Sequence, residues 1–129
     1  MHIENLVFSG GQLKGLAYAG VLKALYKKKI NISIKNILGV SSGAIFALAF
    51  VLKLTVEQII EIVHKLNILN LNSLNYESMI NFFDTYGFDD CKRIEKFIKI
   101  LIKKTSGKDN LTFKELYDKT GLNLIIMGT

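Results

Sequence analysis

Five residues, Gly39-Val40-Ser41-Ser42-Gly43, carry the first chemical signal in this chain. They fit Gly-x-Ser-x-Gly, the pattern of a serine held on a sharp strand-to-helix turn, where its hydroxyl can act as a nucleophile. The spacing follows from the chemistry. The turn strains the backbone around Ser41, and side chains at Gly39 or Gly43 would keep strand and helix apart. The serine oxygen then projects away from the sheet, beside the first free N–H groups of the helix. A plain Gly/Ser turn between two core elements matches the same five residues. The flanks favour the chemical reading, because Ile37-Leu38-Gly39-Val40 reads as a buried strand end and residues 44–52 as a buried helix.

A second signal lies about thirty residues earlier. The apolar run 3–8 ends in Ser9-Gly10-Gly11-Gln12-Leu13-Lys14-Gly15. A helical pattern follows, with Leu16, Ala17, Gly20, Val21, Ala24 and Leu25 on one face. Paired glycines between a strand and a helix let several N–H groups point at one spot near the positive end of the helix dipole, which stabilises an anion. That anion could be a cofactor phosphate or the oxyanion of acyl transfer. A dinucleotide fingerprint starting at Gly10 needs glycine where Gln12 stands, and the strand ending near Val40 lacks the acidic residue for a ribose. A Walker-type loop fails because Leu16 follows Gly15. With a serine turn on the next strand, the oxyanion hole is the better reading.

Together these two motifs resemble the N-terminal part of a patatin-like phospholipase domain. That family has a Gly-Gly-Gly-x-Arg/Lys-Gly loop after its first strand and a Gly-x-Ser-x-Gly elbow after its second. Residues 3–54 are similar to it in order, spacing and hydrophobic pattern. The run 111–117 followed by 122–129 is similar to the family's helix and next core strand, whereas 55–108 is compatible without being diagnostic. The resemblance implies a serine lipid acyl hydrolase that uses a Ser–Asp dyad and no histidine. It assigns Ser41 as nucleophile, the backbone N–H groups of Gly10, Gly11 and Gln12 as oxyanion hole, Gly39 and Gly43 as elbow glycines, and Lys14 as the loop's basic position. It implies no cofactor and no metal, and a lipid substrate at a membrane surface.

Two positions depart from the family's pattern. Gln12 stands where a third glycine is usual; a backbone N–H serves there if φ is negative, and a left-handed geometry would cost roughly 1–2 kcal/mol. The second departure is larger. The family's dyad aspartate lies in an Asp-Gly-Gly/Ala motif, and Asp84, Asp89, Asp90, Asp109 and Asp118 are followed by Thr85, Asp90, Cys91, Asn110 and Lys119. The nucleophile is therefore present without its base. His2 precedes the first strand, at the end away from the loops, and His64 lies off the apolar face of Ile59, Ile60 and Val63. Neither supports a Ser–His–Asp arrangement.

The elements that must position these residues follow from periodicity: strands at 3–8, 36–40 and 123–128, and helices at 14–28, 42–53, 55–66, 91–105 and 112–119, with helical pieces through 75–84. Strand–helix alternation predicts an α/β fold, a three-layer α/β/α arrangement on a mainly parallel sheet, with Ser41 at its carboxyl edge. The last strand runs into the C terminus, so residues 1–129 read as one partial domain, truncated at that end. The 129 residues are half hydrophobic and only 22% charged, which excludes a disordered chain. The net charge is +6, but Arg93 is the only arginine and aromatics do not interleave with the lysines, so nucleic acid is not the expected partner. From Lys92 to Lys104 a helical pattern sets Ile94, Phe97, Ile98 and Leu101 against Lys92, Lys96, Lys99 and Lys103; it reads as an ordinary solvated face or as attraction to anionic lipid. The run 37–52 contains a turn and is short for a membrane span. The lone Cys91 and the absence of a leader point to a cytoplasmic protein, one that can sit peripherally at membranes. Two other functions fit the residues: an inactive copy that binds lipid or a partner, and a phosphate- or nucleotide-binding α/β module.

Overall fold

A computed structural model describes residues 2–11, 16–29, 33–68 and 92–128. In chain order the described elements are β1 (Asn5–Phe8), α1 (Leu16–Lys27), β2 (Asn36–Val40), α2 (Ser42–Val51), α3 (Val56–Ile68), α4 (Lys92–Ser106), α5 (Phe113–Thr120) and β3 (Asn123–Met127). Each matches an expected element to within about two residues at most ends. The helical pieces expected through 75–84 lie outside the described residues. The chain divides into two compact units, residues 1–64 with 111–129, and residues 65–110.

The first unit is built on a parallel sheet in the order β1-β2-β3. Its register aligns Phe8 with Gly39 and Gly39 with Ile126. At the amino ends of the strands, Asn5, Asn36 and Asn123 stand side by side. Asn36 Nδ2 donates to Asn5 Oδ1 at 2.8 Å, and Asn123 Nδ2 donates to Asn36 Oδ1 at 3.2 Å. A one-residue slip would turn these amides to the other face, so the ladder fixes the register at the end away from Ser41.

Helices α1 and α2 share the face that carries Phe8, Ile37 and Gly39. The Phe8 ring meets Tyr18 of α1 edge-on at 5.1 Å, and Tyr18 reaches Phe46 of α2 at 5.2 Å. Leu22, Ile37, Phe46, Ala47, Ala49 and Val51 are buried here. Each large apolar side chain contributes about 1.5–3 kcal/mol by leaving water. Helix α2 is apolar nearly all round, as a helix packed on a sheet and a second helix must be. On the opposite face Val7, Val40, Ile125 and Met127 are exposed. No described helix is long and apolar enough to cross a membrane.

Local signals set the helix ends. Thr112 caps α5 through the Glu115 N–H, and Glu115 returns a bond to the Thr112 N–H; Gly121 ends the helix at φ 71°. Thr55 and Gln58 exchange equivalent bonds at the start of α3. Tyr26 stacks on Phe50 with ring centroids 6.0 Å apart. Its hydroxyl is buried with no hydrogen-bond partner among the described residues, and burial pushes the phenol pKa up. Tyr26→Phe is therefore expected to be neutral or to stabilise by about 1 kcal/mol, read by urea unfolding, since it removes an unsatisfied polar group while keeping the ring.

In the second unit α4 buries Phe97 and Leu101 and exposes its lysines. Thr105 and Ser106 close its last turn by donating to the Leu101 and Ile102 carbonyls.

Candidate active site

The path from β2 into α2 turns at a single residue. Ser41 has φ 53° and ψ −131°, a conformation that costs a non-glycine residue about 1–3 kcal/mol. It occupies the N-cap position, and Ala44 N donates to its carbonyl at 2.9 Å. A structural serine at an N-cap ordinarily spends its hydroxyl on the helix. Ser41 does not: its side chain makes no capping bond, and the residue is exposed. The hydroxyl thus stands at the amino end of α2, in the positive field of that helix.

The flanking glycines explain how the turn closes. A Cβ on Gly39 would lie 2.5 Å from Ala44 Cα and 2.8 Å from Ala47 Cβ, so α2 can rest on β2 only where that side chain is missing. A Cβ on Gly43 would collide with the Phe8 carbonyl oxygen and come within 2.6 Å of the Ser9 oxygen. The start of α2 therefore packs directly on the backbone leaving β1. That contact brings the two glycine motifs together.

Gly10 lies directly against Ser41. A Cβ there would lie 3.1 Å from Ser41 Cβ and 3.5 Å from Ser41 Oγ. The neighbouring Gly11 N–H donates to Ser42 Oγ at 3.2 Å. Tyr18 Oη donates to the Ser9 carbonyl at 2.9 Å and also lies 2.9 Å from Ser9 Oγ, anchoring the loop to α1. The structure thus brings Gly10, Gly11, Gly39, Ser41 and Gly43 into one cluster at the carboxyl edge of the sheet. Gln12 and Lys14 lie outside the described residues.

Sequence reasoning did not single out Tyr18 or Ser42. Tyr18 had no marker beyond its place on α1. Ser42 was visible as the variable position of the elbow motif, but its partner is 31 residues away. No described histidine or aspartate joins the cluster by an observed bond. His2 sits before the amino end of β1, with Nε2 3.1 Å from Glu4 Oε1. Lys35, with His2 as the second contributor, holds the Glu4 carboxyl below the usual range. His64 is exposed on α3, Asp109 pairs with Lys103 at 2.8 Å in the second unit, and Asp118 is exposed on α5. Asp84, Asp89 and Asp90 lie outside the described residues.

Comparison with known proteins bears on what this cluster is for. A family model described as "Patatin-like phospholipase" matches residues 6–124. The "Probable lipid hydrolase 463L" of Invertebrate iridescent virus 6 is 31% identical over 130 aligned positions, covering 98% of this chain and 43% of that protein. The "Uncharacterized protein R571" of Acanthamoeba polyphaga mimivirus is 30% identical over 128 residues, covering 98% of this chain and 42% of that protein. The chain thus spans less than half the length of these two relatives. Among solved structures, the type III effector protein ExoU superposes with a TM-score of 0.70, over 95% of this chain and 32% of its own, at 17% identity. At that identity the likeness concerns the fold alone.

Proposed function

The chain belongs to the patatin-like phospholipase family, and from that premise we propose that it carries the nucleophile half of a lipid acyl hydrolase. The observation that carries this reading is Ser41 itself: a serine in strained, left-handed backbone whose hydroxyl caps nothing and stands against Gly10. In the proposed reaction Ser41 Oγ attacks the carbonyl carbon of a fatty acyl ester and gives its proton to a carboxylate base. The N–H groups of Gly10, Gly11 and Gln12 receive the oxyanion. Gly11 N–H bonds Ser42 Oγ in this structure, so the developing charge would compete with a neutral hydroxyl for that donor, and a charged acceptor wins. Collapse expels the alcohol, which takes the proton from the base. Water, deprotonated by the same carboxylate, then adds to the acyl carbon, and the C–Oγ bond breaks to free the fatty acid as Ser41 Oγ takes the proton back from the carboxylate.

None of the chain's aspartates stands in the Asp-Gly-Gly/Ala setting that the family uses for its base. In this reading residues 1–129 form the nucleophile-bearing part of a patatin-like domain, working at a lipid surface in the cytoplasm.

The test is hydrolysis of a soluble chromogenic acyl ester and of a phospholipid by the protein as its source expresses it, beside Gly10→Val. The first carbon of valine fits with a shift of a few tenths of an ångström, and its branches reach the space around Ser41 Oγ. Turnover should fall on the order of 10²–10³-fold, comparable to losing an oxyanion donor, because the branches hold the reacting carbonyl away from the loop's N–H groups. A folded Gly10→Val protein with parental turnover would remove this loop from the mechanism.

A further inference from the structure

The chain's positive charge is concentrated in one place. Between Lys92 and Asp109 there are seven basic residues and two acidic ones, a net of five of the six positive charges on the whole chain. Most of that segment is α4. Its apolar strip is satisfied by the burial of Phe97 and Leu101. Lys96, Lys99 and Lys103 are exposed on the other side, and beside them Ile100 is 53% exposed. Lys99 meets Glu95 at 2.6 Å and Lys103 meets Asp109 at 2.8 Å. Exposed pairs of this kind hold their partners weakly and leave the net excess in place.

From this arrangement, and resting on the reading of the protein as a lipid hydrolase, we propose that the lysine face of α4 is a docking surface for an anionic lipid bilayer, with Ile100 entering the head-group layer. Two features fit a bilayer. Lysines on flexible stems let an apolar neighbour sink while their ammonium groups stay among lipid phosphates. Six of the seven basic residues are lysine, and the one aromatic on the helix, Phe97, is buried. A single-stranded nucleic acid would call for exposed rings to stack upon.

Co-sedimentation with vesicles tests the proposal without requiring turnover. The protein should bind phosphatidylserine-containing vesicles and ignore pure phosphatidylcholine. Raising salt from about 0.01 M to about 1 M shortens the Debye length from roughly 30 Å to 3 Å and should release it. Each lysine at an anionic surface contributes about 1 kcal/mol, roughly fivefold, so Lys96→Gln, Lys99→Gln and Lys103→Gln combined should weaken binding on the order of 100-fold. Ile100→Ser should weaken it severalfold, and circular dichroism of both variants should match the parent, because the changes are on the surface. Ser41→Ala should bind vesicles as the parent does, so a failure of the serine chemistry and a failure of this surface give different results. Binding that is equal on neutral vesicles, indifferent to salt, or unchanged in the triple variant would overturn the proposal. Tighter binding to an oligonucleotide than to anionic vesicles, unaffected by Ile100→Ser, would overturn it in favour of nucleic acid.

Discussion

Replacing Ser41 by glycine should give a protein that is more stable than the parent and does not hydrolyse acyl esters. The backbone at Ser41 has φ 53°, a conformation glycine adopts freely and other residues adopt at about 1–3 kcal/mol. Against that relief stands the greater chain entropy of glycine in the unfolded state, about 0.5–1 kcal/mol, leaving a net gain of about 1 kcal/mol. For a chain of this size that is a rise in melting temperature of about 3–5 °C. Loss of the nucleophile should lower turnover on the order of 10⁴–10⁶-fold. Ser41→Ala separates the two effects. It loses the hydroxyl but keeps Cβ, so it should be equally inactive and no more stable. A turn serine with no chemical role would be improved by glycine without cost in activity, and that outcome would count against the proposed function.

The second large effect concerns folding. Gly43→Ala would put a methyl group against the Phe8 carbonyl oxygen and within 2.6 Å of the Ser9 oxygen. Both are backbone atoms at the exit of β1, so neither can swing aside as a side chain would. Overpacking a well-filled site costs about 1–3 kcal/mol, and a collision between two main chains should lie at or above the top of that range. Gly39→Ala should behave similarly, since its methyl would lie 2.5 Å from Ala44 Cα. Gly20→Ala is the internal control. Nothing lies within 4 Å of its added methyl, and in the middle of α1 alanine should stabilise by about 0.5–1 kcal/mol. Urea unfolding should show a lower midpoint with unchanged slope for Gly43→Ala and a higher midpoint for Gly20→Ala. Equal stability of Gly43→Ala and the parent would mean that α2 does not rest on the β1 exit.

Those two glycines show what could be read from the residues and what could not. Their spacing around Ser41 announced a tight strand-to-helix turn, because only that geometry needs a missing side chain on both flanks. The alternation of strands and helices and the parallel sheet follow from apolar periodicity, but on α1 it picked the wrong face: Ala17, Gly20, Val21 and Ala24 are exposed, whereas Ala19 and Leu22 are buried. Contacts between elements leave weaker traces. The amide ladder of Asn5, Asn36 and Asn123 joins three polar residues that look unremarkable singly, and its bonds exist only once the register is set. Ser42 receiving the Gly11 N–H and Tyr18 gripping Ser9 are of the same kind. The strand expected at 123–128 is apolar, yet Ile125 and Met127 are exposed on the face opposite α1 and α2, and Ile126 is exposed on a strand that pairs with β2 on one side only among the described residues. Composition reports what a strand prefers to touch, whereas exposure depends on which neighbours stand beside it.

In the proposed reaction Ser41, and no other hydroxyl, takes the acyl group. Its neighbours make this a demanding question, since Ser42 and Ser9 lie in the same cluster. The direct measurement is to treat the protein as its source expresses it with a long-chain alkyl fluorophosphonate, then locate the adduct by peptide mass spectrometry. One phosphonyl group is expected, on Ser41, absent in Ser41→Ala and formed more slowly when lipid substrate is present in excess. An adduct on Ser42 or Ser9, or ester hydrolysis that persists at the parental rate in Ser41→Ala, would contradict it.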